Sequence, residues 1–464
     1  MWRPPAIAPA TMFSLTTLRQ LFRLALPMVV SQGAFALMVF TDRLFMSRID
    51  AAHIASAMGG GVSYFVSIAL FTGVLSYANA LVAQYFGAGE LRKCPQVVTQ
   101  GTILSVACLP VLAVVAYYVS QLFEVMGHEP VMVILERQYY FVLMAGAVFA
   151  LIKTCIACYF SGIGVTRVVM ISDLVGVALN IPLSYVLIFG IAGAPEMGIQ
   201  GAAVGTVVAT ICSIGVYLLF YFNRIHRERF HVLASFRLNA GIMRRYVRLG
   251  FPSGFEVFIG AGTFNLFLLM FQAYGVAEGA AMAIVFNWDM LSFVPLVGIN
   301  IAVMSLIGRY VGAGDMSRAN QVISSGFIIA LAYSGVMGVI FIVFRYELLE
   351  VFATPGQDFT AIRELGGKMM IGLTTYVMAD AMILICTGTL RGAGDTRWLM
   401  TTSIVLHLLM VLVQYFVIMV WNYEPIVSWW VFVATLLALA LVYSARVFGG
   451  TWRQADRLAR VMQE

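Results

Sequence analysis

Two short stretches that nearly repeat each other decide how this chain is organised. Residues 85–89 read YFGAG, and residues 310–314 read YVGAG, 225 positions further along. Two further pairs of stretches keep the same order and nearly the same spacing: residues 23–27 and 248–252 (RLALP and RLGFP), and residues 162–167 and 392–397 (GIGVTR and GAGDTR). Ordered matches at nearly one spacing predict a duplicated chain.

The composition predicts that this duplicated chain lies in a membrane. Of its 464 residues, 61% are hydrophobic and 11% are charged, whereas soluble domains carry roughly 25% charged residues. Twelve apolar segments are each long enough to cross ~30 Å of hydrocarbon as a helix, the spanning element that satisfies its own backbone. We predict an all-α polytopic membrane protein with twelve transmembrane helices in two parallel six-helix repeats. The approximate limits are 16–47, 54–82, 94–119, 131–160, 168–191, 198–222, 245–272, 281–308, 318–344, 361–389, 398–421 and 426–448.

The arginines predict the orientation, because they alternate between rich and poor ends of successive spans. The positive-inside rule then places both termini in the cytoplasm, and we expect the protein to lie in the cytoplasmic (inner) membrane. We predict an N-terminal segment (1–15), an N-terminal lobe (16–222), a cytoplasmic linker (223–244), a C-terminal lobe (245–448) and a cytoplasmic tail (449–464). Six helices per half make the repeats parallel, an arrangement of transporters with the substrate cavity between halves.

Several classes of function are disfavoured by what the sequence lacks. There is no Gly-x-x-x-x-Gly-Lys-Ser/Thr stretch, so the chain has no phosphate loop with which to use ATP. The basic residues sit in short segments between apolar runs, which argues against nucleic acid as a partner. An enzyme needs a nucleophile, base or metal cluster, yet only His407 of the five histidines falls at membrane depth. We therefore predict no enzyme and no cofactor, and we hold a channel or receptor to be a weak alternative.

Ionisable side chains inside the apolar segments are the candidates for function, because each costs ~2.5–3.5 kcal/mol to insert. Glu256 lies near the middle of the seventh span, after Pro252. In the tenth span, Tyr376 precedes Asp380 by four residues, which places both on one helical face. If the two spans share a lobe interior, two carboxylates and a phenol face one cavity. Such a group holds Na⁺ or shares a proton.

A second candidate site lies in the first half. Asp42 occupies the outer part of the first span, Asn180 and Ser184 share a face of the fifth, and Thr206 lies in the sixth. We expect this group to handle a cation or proton together with the substrate. The alternative for Asp42 is an interfacial pair with Arg43 that reaches outward.

Three further charged residues are secondary candidates. Lys153 and Asp173 each lie near the cytoplasmic end of a span, where they can reach the interface or pair with each other; the third is Asp289.

The acids of the two sites do not follow the repeat. At the repeat offsets, Glu256 corresponds to Ser31, Asp380 to Ala150 and Asp42 to Phe267. The scaffold is duplicated but these acids are not, which favours halves specialised for different tasks.

With these residues in view, the chain resembles the multidrug and toxic compound extrusion (MATE) family, especially its NorM-like branch. The likeness runs from about Leu15 to Phe448 and rests on residues 26–42, 84–89, 180–206, 251–256 and 391–396. It implies an antiporter that expels cationic amphiphilic compounds in exchange for Na⁺ or H⁺ by alternating access. We also expect a monomer in the lipid bilayer.

The resemblance also implies roles for particular residues. Glu256, Tyr376 and Asp380 match the carboxylate pair and tyrosine that bind the cation in the C-terminal lobe of NorM-like members. Asp42, Asn180 and Thr206 match three members of an N-terminal-lobe site, while Ser184 stands where a second acid is expected. That departure removes a charge used for tight Na⁺ binding. The competing interpretation is a flippase for lipid-linked oligosaccharides or other lipids, which needs a cationic cavity, whereas the deep charges here are mostly acidic.

Overall fold

The computed structural model describes residues 13–125, 129–191, 193–353 and 359–463. Most of the predicted N-terminal segment, residues 1–12, therefore lies outside the described residues. Within the described ranges the chain is helical and contains no strand. The α-helices are α1 Leu15–Met46, α2 Ala51–Ser76, α3 Ala78–Gly87, α4 Lys93–Ala107, α5 Leu109–Val125, α6 Pro130–Gly162, α7 Thr166–Phe189, α8 Ile199–Tyr221, α9 Arg224–Arg229, α10 Ala240–Gln272, α11 Val276–Gly312, α12 Met316–Val343, α13 Arg345–Glu350, α14 Thr360–Ala393, α15 Thr396–Tyr415, α16 Pro425–Phe448 and α17 Ala455–Met462.

Eleven helical spans in the described part of the chain are long and apolar enough to cross a membrane, with α2 and α3 together making one of them. Helices α4 and α5, which meet at an angle of 43°, are together long and apolar enough to make a twelfth if the bent pair crosses as one span. Pro110 stands at the start of α5, and proline removes a backbone donor and crowds the preceding turn, which accounts for the bend. The predicted fold class, an all-α polytopic membrane protein, is confirmed.

The described residues form two compact units that each combine parts of both sequence halves. One unit comprises residues 30–258, and the other comprises residues up to Val29 together with 259–463. The change of unit falls inside α1 and inside α10, shortly after Pro27 and Pro252. The predicted lobes, 16–222 and 245–448, follow the sequence repeat rather than contacts and stay a prediction.

Close helix crossings recur at equivalent positions in the two units. In the 30–258 unit, a Cβ built on Gly73 of α2 would lie 2.6 Å from the Cα of Gly254 in α10. In the other unit, a Cβ on Gly298 of α11 would lie 2.6 Å from the backbone nitrogen of Val29 in α1. The sequence offset of 225 relates Gly73 to Gly298 and Val29 to Gly254. Glycine at these crossings allows the backbones to approach this closely.

The tyrosines of the repeated YFGAG and YVGAG stretches make equivalent contacts. The guanidinium of Arg245, in α10, lies 4.8 Å from the centroid of the Tyr85 ring. In the other unit, the hydroxyl of Tyr310 donates a hydrogen bond of 2.8 Å to Gln20 Oε1 in α1, and Gln20 and Arg245 are again 225 positions apart. Each repeated stretch therefore anchors the first part of α1 or α10.

The segment predicted as a cytoplasmic linker is folded against its own unit. It contains α9 and a short 3-10 helix, Val232–Ser235. His226 of α9 is buried, its Nδ1 lies 2.8 Å from the hydroxyl of Tyr159 at the end of α6, and its ring stacks on Phe230. Burial lowers the pKa of His226 below its ordinary value of 6.5.

We expect leucine at either glycine crossing to destabilise the protein. In Gly73→Leu and Gly298→Leu the added side chain meets helix backbone rather than space, so the free energy of unfolding should fall by about 1–3 kcal/mol. Thermal unfolding in detergent measures this. Gly335→Leu is the control, since a Cβ there has open space; equal behaviour of all three variants would contradict the interpretation of the crossings.

We expect the linker to loosen on acidification. The docked linker favours neutral His226, whereas the released linker takes up a proton near pH 6.5, so docking weakens as the pH falls below about 6.5. Hydrogen exchange of residues 224–235, corrected for intrinsic rates, should rise between pH 7.5 and 5.5. His226→Phe keeps an aromatic ring without the proton and should remove this dependence.

Candidate functional site

The first candidate site is positioned by close packing of α7 against α8. Gly201 and Gly205 of α8 are four residues apart, so they share a face. A Cβ on Gly201 would lie 2.6 Å from the Leu187 carbonyl group, and one on Gly205 would lie 2.6 Å from Ser184 Oγ. Small residues at this spacing let helices approach closely. The approach brings Ser184 next to the α8 turn that carries Thr206.

The predicted N-terminal site residues meet around the Asp42 carboxylate. Thr206 Oγ1 donates to Asp42 Oδ2 at 3.1 Å, and Asn180 Nδ2 donates to Thr206 Oγ1 at 3.2 Å. Asp42, Asn180 and Ser184 are all buried. Asp42 Oδ1, Asn180 Oδ1 and Ser184 Oγ have no hydrogen-bond partner among the described residues. Buried polar atoms are normally satisfied, so these three oxygens have spare capacity for a hard cation or a proton.

A second group of acids surrounds Tyr376 in the other unit. The Tyr376 hydroxyl donates to Asp289 Oδ2 at 2.6 Å, and Asp380, one turn further along α14, interacts with both groups. All three side chains are buried, and Asp289 Oδ1 has no hydrogen-bond partner in the described part of the chain. The spacing of Tyr376 and Asp380 predicted their proximity. Asp289, a secondary candidate from the sequence, joins this group in the structure, and the signal for it was an acid inside an apolar helix.

An aromatic cluster holds the Tyr376 ring in place. The ring centroid lies 5.7 Å from that of Phe432 and 6.5 Å from that of Phe286. Phe286 and Phe432 pack in turn against Trp429, whose indole donates to the Met369 carbonyl. Such packing restricts the phenol to the orientation in which it meets Asp289.

Glu256, the third predicted member of the C-terminal site, lies on α10 in the 30–258 unit and is partly buried. It follows Pro252 by one helical turn. The predicted grouping of Glu256 with Tyr376 and Asp380 stays a prediction.

Lys153 and Asp173 form an ion pair. Lys153 Nζ lies 2.9 Å from Asp173 Oδ1, to which the Tyr217 hydroxyl also donates at 3.2 Å. Ser31 Oγ donates to the other carboxylate oxygen. Of the two possibilities that the sequence left open for Lys153 and Asp173, the structure shows the pair. Ser31 and Tyr217 carry no charge and were not singled out as candidates.

The described residues contain no group of three or more His, Cys, Asp and Glu side chains that could hold a metal ion. The candidate sites instead combine carboxylates with hydroxyl, phenol and amide oxygens. Such oxygens suit a hard cation such as Na⁺ rather than a transition metal.

A family model matches the chain twice, at residues 27–186 and 252–416, well over half of its length. The model is that of MatE. The chain belongs to the MatE family. The two matched segments begin at the equivalent prolines of the repeat, Pro27 and Pro252, so this MatE protein carries one family segment in each sequence half.

Curated relatives agree with this membership. The chain is 27% identical over 393 residues to the multidrug resistance protein NorM of Photobacterium profundum, covering 82% of each. It is 26% identical over 389 residues to a probable multidrug resistance protein NorM of Shewanella oneidensis, again covering 82% of each.

Two solved transporters share the fold of this MatE protein. The eukaryotic MATE transporter AtDTX14 matches with a TM-score of 0.86 at 16% identity, over 97% of this chain and 99% of that one. A MOP superfamily transporter from Pyrococcus furiosus matches with a TM-score of 0.83 at 18% identity, over 95% and 97%. At these identities the likeness shows the fold alone.

We expect loss of the Tyr376 hydroxyl to destabilise its unit. Tyr376→Phe leaves the buried Asp289 carboxyl without its donor, which should lower the free energy of unfolding by roughly 1–3 kcal/mol. Thermal unfolding in detergent measures the change, with Tyr415→Phe, an exposed tyrosine, as control. Adding Asp289→Asn should recover part of the loss; a Tyr376→Phe protein as stable as the parent would contradict the role of this bond.

Proposed function

We propose that this protein is a secondary active antiporter that exports cationic amphiphilic drugs or toxic compounds in exchange for Na⁺ or H⁺. The observation that carries the proposal is the set of buried acids Asp42, Asp289 and Asp380. None of the three has an ion-pair partner among the described residues. MatE membership and relatives named as multidrug resistance proteins support the same function.

The physical basis is the cost of a bare carboxylate in lipid. A buried charge must be paired or lose its charge, so each acid gains a proton or a cation when it is sealed from water. Binding that neutralises the site favours some conformations over others. Exchange follows if ion and substrate bind the outward-facing and inward-facing states with different affinity.

The two acid groups are suited to bind positive charge in different ways. Around Asp42 there is one carboxylate with hydroxyl and amide oxygens, which suits a single positive charge, either a proton or Na⁺. Asp289 and Asp380 place two carboxylates beside one phenol, and repulsion between their charges favours a shared proton or a bound Na⁺ held with Tyr376. Glu256 remains our further candidate for this C-terminal cation site.

A cationic substrate is favoured because the deep charges are mostly acidic. The fold does not set this polarity, since the Pyrococcus furiosus transporter that shares it is described as having a binding pocket of reversed polarity. A lipid-linked oligosaccharide or other lipid flippase needs a cationic cavity for pyrophosphate. Lys153 is a deep basic residue that could serve this purpose, but its ammonium already pairs with Asp173.

We further propose that the protein acts as a monomer in the cytoplasmic (inner) membrane, with both termini on the cytoplasmic side. It works without a cofactor or nucleic acid and is not an enzyme. Its working parts are the lobes 16–222 and 245–448, joined by the linker 223–244, and they alternate access to a substrate cavity.

The proposal is tested with purified protein in liposomes. Efflux of an ethidium-type dye is driven separately by a Na⁺ gradient and by a pH gradient, and we expect at least one gradient to drive it. Asp42→Asn and Asp380→Asn should each lower gradient-driven efflux by about tenfold or more, because a neutral amide has no charge to exchange. Glu364→Gln, at an exposed ion pair with Lys368, is the matched control and should keep full efflux.

Full dye efflux and ion coupling in Asp380→Asn would refute the role assigned to that acid. Dye efflux that responds to neither gradient would refute antiport itself. Translocation of a fluorescent lipid without dye transport would favour the flippase.

A further inference from the structure

Asp173 lies at the meeting point of four helices within the 30–258 unit. It projects from α7 and accepts hydrogen bonds from Ser31 of α1 and from Tyr217 of α8. The ammonium of Lys153, from α6, lies 2.9 Å from the same oxygen that accepts from Tyr217. Both carboxylate oxygens therefore have partners. The arrangement is that of a complete site for one cation, built from a carboxylate and two hydroxyls. The cation in it is the ammonium group of Lys153, a side chain of the same protein.

Asp42, in the same unit, provides the contrast. It too accepts a bond from a hydroxyl, that of Thr206. One of its oxygens is nevertheless without a hydrogen-bond partner, and no ammonium or guanidinium lies against it among the described residues. The unit thus holds one acid with room for a mobile cation and one acid, Asp173, with a fixed cation.

The sequence repeat shows that the second half has no counterpart of the Lys153–Asp173 pair. At the offset of 230 positions, Asp173 corresponds to Ser403 and Lys153 to Ile383, while Ser31 corresponds to Glu256 at the offset of 225. The hydroxyl and the acid are therefore exchanged between the two halves. In the first half the serine lies on α1 and the acid on α7, whereas in the second half the acid lies on α10 and the serine on α15. Where the first half supplies a lysine, the second half supplies an isoleucine.

We propose that Lys153 is a tethered counter-cation that fills a monovalent-cation site formed by Asp173, Ser31 and Tyr217. Its ammonium occupies the place beside the Asp173 carboxylate and so excludes this acid from the exchange of mobile ions. Without the lysine, the site takes a small primary alkylammonium ion or Na⁺. The exclusion from ion exchange rests on the proposed antiport, whereas the site itself does not.

The geometry explains why an outside cation can replace the tethered one. The Lys153 side chain is 28% exposed and that of Asp173 is 16% exposed, whereas Tyr217 is fully buried. The site is thus open on the lysine side and closed on the tyrosine side. Removal of one member of a buried ion pair leaves an uncompensated charge and lowers the stability strongly, whereas removal of both charged groups changes the stability little.

The test uses thermal unfolding of the full-length protein in detergent. Lys153→Ala removes three methylene groups and the ammonium, which propylammonium chloride restores as a free molecule. We expect Lys153→Ala to lower the Tm by several degrees and propylammonium to reverse most of that loss in a saturable way. Tetramethylammonium chloride at equal ionic strength separates specific binding from screening, because this cation has no N–H to donate. A saturable effect of NaCl beyond that control also supports the site.

The double variant Lys153→Ala with Asp173→Asn isolates the carboxylate. It should be more stable than Lys153→Ala alone and should not respond to propylammonium. Lys368→Ala is the matched control, because its partner Glu364 is 71% exposed, and it should show neither loss nor rescue. Equal rescue of the single and double variants, or no loss of stability in Lys153→Ala, would overturn the proposal.

If Lys153→Ala does not yield folded protein, the proposal is tested by comparing the stability of two other variants. These are the single variant Asp173→Asn and the double variant Lys153→Met with Asp173→Asn. We expect the double variant to be the more stable, because it buries no unpaired ammonium; the reverse order would overturn the proposal. These measurements of stability do not depend on transport. A failure of dye efflux would therefore contradict the proposed antiport without contradicting the cation site at Asp173.

Discussion

A carboxylate enclosed by helices and lipid must be neutralised, and this constraint organises the chemistry of the protein. Each deep acid described here meets it differently. Asp173 is paired with a lysine of the same chain, whereas Asp289 and Asp380 meet at one phenol and Asp42 accepts a hydrogen bond from a hydroxyl, with no ion-pair partner for these three acids among the described residues. Because their partners differ, these acids differ in whether the chain itself supplies the positive charge. The proposed antiport rests on the acids for which the chain supplies no such charge.

The scaffold that holds these acids apart from water depends on how closely the helices approach. Glycines at the α2–α10, α1–α11 and α7–α8 contacts remove the side chains that would keep the backbones apart. In a membrane, where lipid tails are as apolar as leucine, such packing supplies much of the association between helices. The close approach also sets positions: at Gly205 it brings Ser184 against the turn that carries Thr206.

Duplication and divergence act on different residues. Equivalent positions keep the turn glycines, the prolines and the tyrosines, and in the structure the two tyrosines contact equivalent positions of α1 and α10. The acids occur once. A duplicated scaffold with acids in one copy of each position gives the two sequence halves different chemistry, and the proposed antiport makes use of this difference.

The sequence by itself determined the class of fold, the long apolar spans and the repeat, because hydrophobic length and ordered motifs are local properties of the chain. It also paired Tyr376 with Asp380, since four residues make one helical turn. Only the tertiary structure joined Asp289 to Tyr376 and tied Asp173 to both Lys153 and Ser31. These partners lie on different helices, and the rotation of one helix against another depends on packing across the whole unit. Helical periodicity places a residue on a face, but it does not decide which face of a neighbouring helix lies opposite.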